Sequence, residues 1–117
     1  MLYKNEISTL VEKAHKQGLR IFVSELGSYG FITNSLGTQV IAFGIDWMLG
    51  TVYFSTRHKP SSRYGTGFRI SEHANIDNVN LKDIMSTGAR IEERVGLQTV
   101  TCAEHLKAYE CCQYKET

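Results

Sequence analysis

Leu19-Arg20-Ile21-Phe22-Val23-Ser24-Glu25, then Gly27-Ser28, then Tyr29-Gly30-Phe31-Ile32-Thr33-Asn34, then Ser35-Leu36-Gly37, then Thr38-Gln39-Val40-Ile41-Ala42-Phe43-Gly44-Ile45 is the stretch that decides the fold class. In its first run Leu19, Ile21 and Val23 alternate with Arg20, Phe22 and Ser24. A period of two with β-branched and aromatic residues marks a strand. Short glycine-containing breaks separate the three runs. Connections this short allow only antiparallel neighbours, because a parallel crossover needs a dozen or more residues. The spacing predicts strands over 19–25, 29–34 and 38–45.

Working outward, Ile7, Leu10, Val11 and Ala14 recur at the i, i+3, i+4, i+7 spacing of one helical stripe. An amphipathic helix over 3–17 is expected, ended by Gly18 in a left-handed cap. Towards the C-terminus, Asp46-Trp47-Met48-Leu49-Gly50 reads as a hairpin tip or bulge. Strands are expected over 51–55, which contains Tyr53 and Phe54, and over 67–71. Asn80 caps a short helix through Met85. Thr101 with Glu104 forms a capping box that opens a last helix, with Cys102, Ala103 and Leu106 on its apolar face, ending at Gln113 or Tyr114. No strand–helix–strand alternation occurs, so the class is α+β. The architecture expected is a four- to five-stranded antiparallel meander with an N-terminal helix and C-terminal helices packed on one face. Residues 1–117 form one domain, a length that buries one core and not two.

The formal net charge of +1 removes any global attraction to nucleic acid or an anionic membrane, so electrostatic binding has to be local. The longest mainly apolar stretch, 40–49, contains Asp46 and is far shorter than the roughly 20 residues that span a bilayer. No membrane partner is expected. An early acid, Glu6, and no following apolar segment argue against a secretory signal. The three cysteines, Cys102, Cys111 and Cys112, crowd the last part of the chain and make a poor disulfide framework. They read as free thiols, and a cytoplasmic location is expected.

The segment 56–69 concentrates Arg57, His58, Lys59, Arg63, Tyr64 and Arg69 and contains no acid. Pro60, two serines and two glycines make most of it a loop, and loops on a rigid sheet are where binding residues tend to stand. Its arginines could take phosphates or carboxylates in bidentate fashion. The competing reading is a solvated basic hairpin loop. Gly65 and Gly67 lack the lysine and hydroxyl order of a P-loop and enter a strand, which argues against a nucleotide cradle. Tyr29, Phe31, Tyr53, Tyr64 and Phe68 could stack on bases if they shared an exposed sheet face, although most such residues pack in cores. Trp47, beside Met48 and Leu49, is a second contact candidate if it is exposed at a loop tip, against the commoner fate of burial.

Chemistry is harder to assemble. Cys102, His105, Cys111 and Cys112 resemble a ligand set, yet on one continuous helix residues 102 and 112 stand about 15 Å apart, too far for one zinc ion. No metal and no cofactor are expected. His58 near Ser55, Ser61 or Ser62 is a local pairing of a base with a hydroxyl, and with four histidines one such pair arises by chance.

These observations favour a non-catalytic protein-interaction module, a small inhibitor or adaptor acting through the basic segment 56–69. Its partner would be a larger protein or nucleoprotein complex, such as a nuclease or a host-defence complex met by accessory proteins of mobile elements. The alternative is a nucleic-acid-binding domain that places Arg57, Lys59, Arg63 and Arg69 on phosphates. A small hydrolase or transferase using His58 or Glu25 with the glycine loop ranks last. Edge strands of an open meander would also permit pairing into a homodimer.

Overall fold

A computed structural model describes residues 3–46, 51–56, 69–95 and 112–115. The chain opens with α1 (Lys4–Lys16) and continues through β1 (Arg20–Ser24), β2 (Tyr29–Thr33), β3 (Val40–Asp46), β4 (Thr51–Thr56) and β5 (Arg69–Ala74). A 3-10 turn at Ile76–Asn78 leads into α2 (Leu81–Val95), and β6 (Cys112–Lys115) follows. The six strands form one antiparallel sheet in the order β5-β4-β3-β2-β1-β6. The class is therefore α+β, with the expected meander at its centre and a further strand on one edge.

Local chemistry explains the joints. The end of α1 is a Schellman motif: Leu19 N donates to Ala14 O at 2.9 Å and Gly18 N to His15 O at 3.1 Å, with Gly18 at φ 71° as expected. The β1–β2 turn closes with Gly27 N donating to Ser24 O at 2.9 Å. Between β2 and β3, Asn34 Oδ1 accepts from Thr38 N at 2.9 Å and Gln39 N at 3.2 Å, while its Nδ2 donates to Thr38 Oγ1 at 2.7 Å. The side chain of one asparagine thus engages three polar groups of that turn.

In an antiparallel sheet, residues opposite one another project to the same side. Ile21, Ile32 and Ile41 are partners across β1, β2 and β3, as are Phe43 with Phe54 and Ile45 with Val52 across β3 and β4. These side chains pack with Ile7, Leu10 and Ala14 of α1 and Leu81 and Met85 of α2 in one continuous core. Both helices consequently lie on one face, as expected from the sequence. Each fully buried Leu, Ile or Phe contributes roughly 1.5–3 kcal/mol of apolar burial. The helices are tied to each other as well: Lys13 Nζ donates to Asp77 O and Val79 O, both at 3.1 Å, and Gln17 Oε1 accepts from Lys82 N at 2.9 Å.

Three expectations are corrected. Asn80 does cap α2, accepting from Lys82 N at 3.1 Å and Asp83 N at 3.3 Å, but the helix runs to Val95 and not to Met85. Thr87 and Gly88 interrupt its local propensity, and at Gly88 the fit is close: a Cβ would stand 3.0 Å from Ile70 Cδ1 and 3.2 Å from Ile41 Cγ2. The fifth strand, expected over 67–71, is described over Arg69–Ala74 and so runs past its expected end, while 67 and 68 lie outside the described residues; the polar Glu72-His73 pair obscures a strand whose register on β4 is irregular between Val52 and Ser55. The helix expected to reach Gln113 or Tyr114 gives way to β6 at its end, where Cys112–Lys115 pairs with β1. Residues 101–111 of that expected helix lie outside the described residues. The open edge of β1 supplies ladder partners to 112–115 that no local signal reveals.

Candidate binding face

The sheet face turned away from the helices carries a different set of residues. One cross-strand row runs Tyr114, Phe22, Phe31, Ala42, Ser55 and Arg69, one residue from each strand from β6 to β5. In the neighbouring row Tyr29 and Tyr53 flank Gly44. A Cβ at Gly44 would overlap the Tyr53 ring, so that ring lies across the glycine towards Tyr29. Tyr29 is 39% exposed, Tyr53 38% and Tyr114 40%. The face is not a bare platform, however: Phe31 is 3% exposed and Val40 0%, and they pack with Phe22 and Ala42 in a second, smaller cluster.

At the β1 and β6 corner, the Arg20 guanidinium carbon lies 5.6 Å from the Phe22 ring centre and 5.3 Å from the Tyr114 ring centre. Strand geometry places them together: Arg20 and Phe22 are two residues apart on β1, and Phe22 is the register partner of Tyr114. The two rings are 5.5 Å apart, tilted by 55°, and the Tyr114 and His15 rings meet edge-on at 6.4 Å. His15 Nε2 is hydrogen-bonded to Lys115 O at 2.9 Å, which fastens β6 to α1.

Of the site residues expected from sequence, Trp47, Arg57, His58, Lys59, Arg63 and Tyr64 lie outside the described residues. Arg69 begins β5, opposite Ser55 on the helix-free face, and is exposed. Strand direction separates the two contact candidates. Residues 47–50 join at Asp46 and Thr51, while 57–68 join at Thr56 and Arg69, and these anchor points stand about 17 Å apart along β4. Arg20 belongs to the end of the sheet where the basic segment is anchored, and Glu25, exposed in the β1–β2 turn, to the opposite end. Tyr29, Phe31 and Tyr53 do share one face, but Phe31, in the row beside that of the two tyrosines, is buried, and Tyr64 and Phe68 lie outside the described residues. Cys112 starts a strand, so its separation from Cys102 cannot be measured along a helix. Among the described residues no three His, Cys, Asp or Glu side chains converge on a metal position, and no helix is long and apolar enough to cross a membrane.

Sequence reasoning missed Arg20, Phe22 and Tyr114 as a cluster. The alternation of β1 already placed Arg20 beside Phe22; the third member was assigned to a helix, and its pairing spans more than ninety positions. No protein-family model, no curated protein and no solved structure significantly matches this chain.

Proposed function

We propose that this chain is a non-catalytic protein-interaction module, an inhibitor or adaptor, that docks on a larger protein or nucleoprotein complex through its helix-free sheet face. The observation that carries the reading is the chemistry of that face: Tyr29, Tyr53 and Tyr114 are substantially exposed, with Arg20 and Arg69 near its two edges. Tyrosine and arginine are the side chains that protein interfaces favour as energetic anchors, since each presents a large contact area and a polar group that finds a partner. Arg69 links this face to the basic segment 56–69, whose cations would extend the contact at one end.

Nucleic-acid binding draws on the same arginines and tyrosines. It is the second reading because Phe31, beside Phe22 on this face, is 3% exposed and offers no ring for a base.

The test is an affinity pull-down from cell extract with and without nuclease treatment and at low and high salt, followed by identification of the bound proteins. A stoichiometric protein partner that survives nuclease and salt is expected. Replacing Arg57, Lys59 and Arg63 together with alanine should keep folding stability within about 1 kcal/mol of the parent, as exposed charges contribute little, while weakening that capture. Recovery of nucleic acid alone, lost at high salt, would replace this reading with the second.

A further inference from the structure

The Arg20 corner narrows the partner's chemistry, an inference that rests on the interaction-module reading. Arg20 is exposed, and its guanidinium forms no ion pair among the described residues. The only other charged side chain of β1 and β6 is the cation Lys115, and neither strand contains an acid. Among the described residues of these two strands no carboxylate stands beside the guanidinium; Glu116, the next residue after Lys115, lies outside the described residues. Phe22 and Tyr114 hold the guanidinium close to two rings, which favours the cation electrostatically and reduces its freedom. A guanidinium so placed presents a planar fork of N–H donors, the arrangement that matches a carboxylate in a bidentate pair. Holding it in place before binding lowers the entropy that association would otherwise cost.

We propose that the Arg20–Phe22–Tyr114 corner receives an acidic segment of a partner protein, with an Asp or Glu carboxylate on Arg20 and a neighbouring apolar side chain on the Tyr114 ring. A peptide suits the place better than a nucleic acid for two reasons. Among the described residues β6 is an edge of the sheet, and an extended peptide backbone can pair along it where a phosphodiester backbone cannot. A nucleic acid also needs a track of cations, and Arg69, the other arginine of this face among the described residues, begins a strand about 19 Å away across the sheet. Thr33, Val40, Phe31, Ala42 and Ser55, which lie between them on this face, are uncharged.

A displayed library of random peptides selected on the full chain tests this, with binding of the selected peptides measured by fluorescence anisotropy. The expected outcome is enrichment of peptides with an Asp or Glu beside an apolar residue. Their binding should weaken tenfold or more in Arg20→Ala, consistent with a charge-assisted hydrogen-bonded pair, and by less in Arg20→Lys, which keeps the charge and loses the fork. Thermal unfolding of each variant confirms that the fold is retained. Selected peptides that lack acids, or that bind Arg20→Ala as tightly as the parent, would overturn the acidic-segment assignment while leaving the interaction module standing. A fluorescent single-stranded oligothymidylate that binds the parent and is weakened by Arg20→Ala, with no peptide selected, would overturn both.

Discussion

The two faces of this sheet use the same device to opposite ends. On the helix side, Gly30 lies beneath the ring of Phe43, which is 3% exposed; on the other side, Gly44 lies beneath the ring of Tyr53, which is 38% exposed. In both places a glycine lets an aromatic ring from the adjacent strand lie flat on the sheet. Beneath Phe43 the arrangement closes a core, and around Gly30 even the Phe22 backbone carbonyl occupies the space of a Cβ. Beneath Tyr53 it leaves a phenol at the surface. The lesson is that an aromatic residue in a strand is core or contact surface according to which face the helices choose.

Removing a core ring should show the largest difference between the faces. Phe54, fully buried opposite Phe43, should cost about 3–5 kcal/mol as Phe54→Ala, a loss visible as a sharply lowered denaturation midpoint. Arg20→Ala on the other face should cost at most about 1 kcal/mol, the scale of an exposed cation–π contact. Comparable losses would mean that the helix-free face is structural.

The two glycines sharpen the comparison at smaller scale. Gly30→Ala must displace a backbone carbonyl and a buried ring, and overpacking of this kind costs about 1–3 kcal/mol or more. Gly44→Ala needs only the exposed Tyr53 ring to swing aside, so its cost should stay below about 1 kcal/mol while any partner binding that uses Tyr53 weakens. Chemical denaturation of the two variants side by side measures the contrast; equal costs would remove the distinction drawn here.

The smallest effect is expected at Glu12, on the solvent side of α1. Its carboxyl is held below the ordinary range by the hydrogen bond from Lys16, at 2.9 Å, and then by the charge of that ammonium. A carboxyl whose pKa is lowered by folding adds stability above its unfolded pKa and loses it as pH falls through the folded value. The pair is exposed, so Glu12→Gln should shift thermal unfolding barely measurably at neutral pH and not at all once the carboxyl is protonated in acid. A clear neutral-pH destabilisation would show that α1 depends on this pair more than on its buried stripe.

Much of the fold was legible because the signals are local. The alternation of Ile21 with Phe22, the spacing of Ile7, Leu10 and Ala14, and the cap at Asn80 each act within a few residues. The extent of α2 was obscured by Gly88, a poor helix former that here faces Ile41 and Ile70. The candidate face was half legible: the strand period places Tyr29 with Phe31 and Arg20 with Phe22, and says nothing about which of them is covered.

The sequence by itself determined the period of α1 and of the central strands, the antiparallel sense of those strands and the turns at Gly18, Gly27 and 35–37, since short connections leave the backbone few choices. Only the tertiary structure decided that Cys112–Lys115 joins the sheet beside β1 and that Arg20, Phe22 and Tyr114 meet there. Pairing between the two ends of the chain gains its hydrogen bonds from whichever edge is vacant once the sheet has formed, and no pattern within either segment can specify that edge in advance.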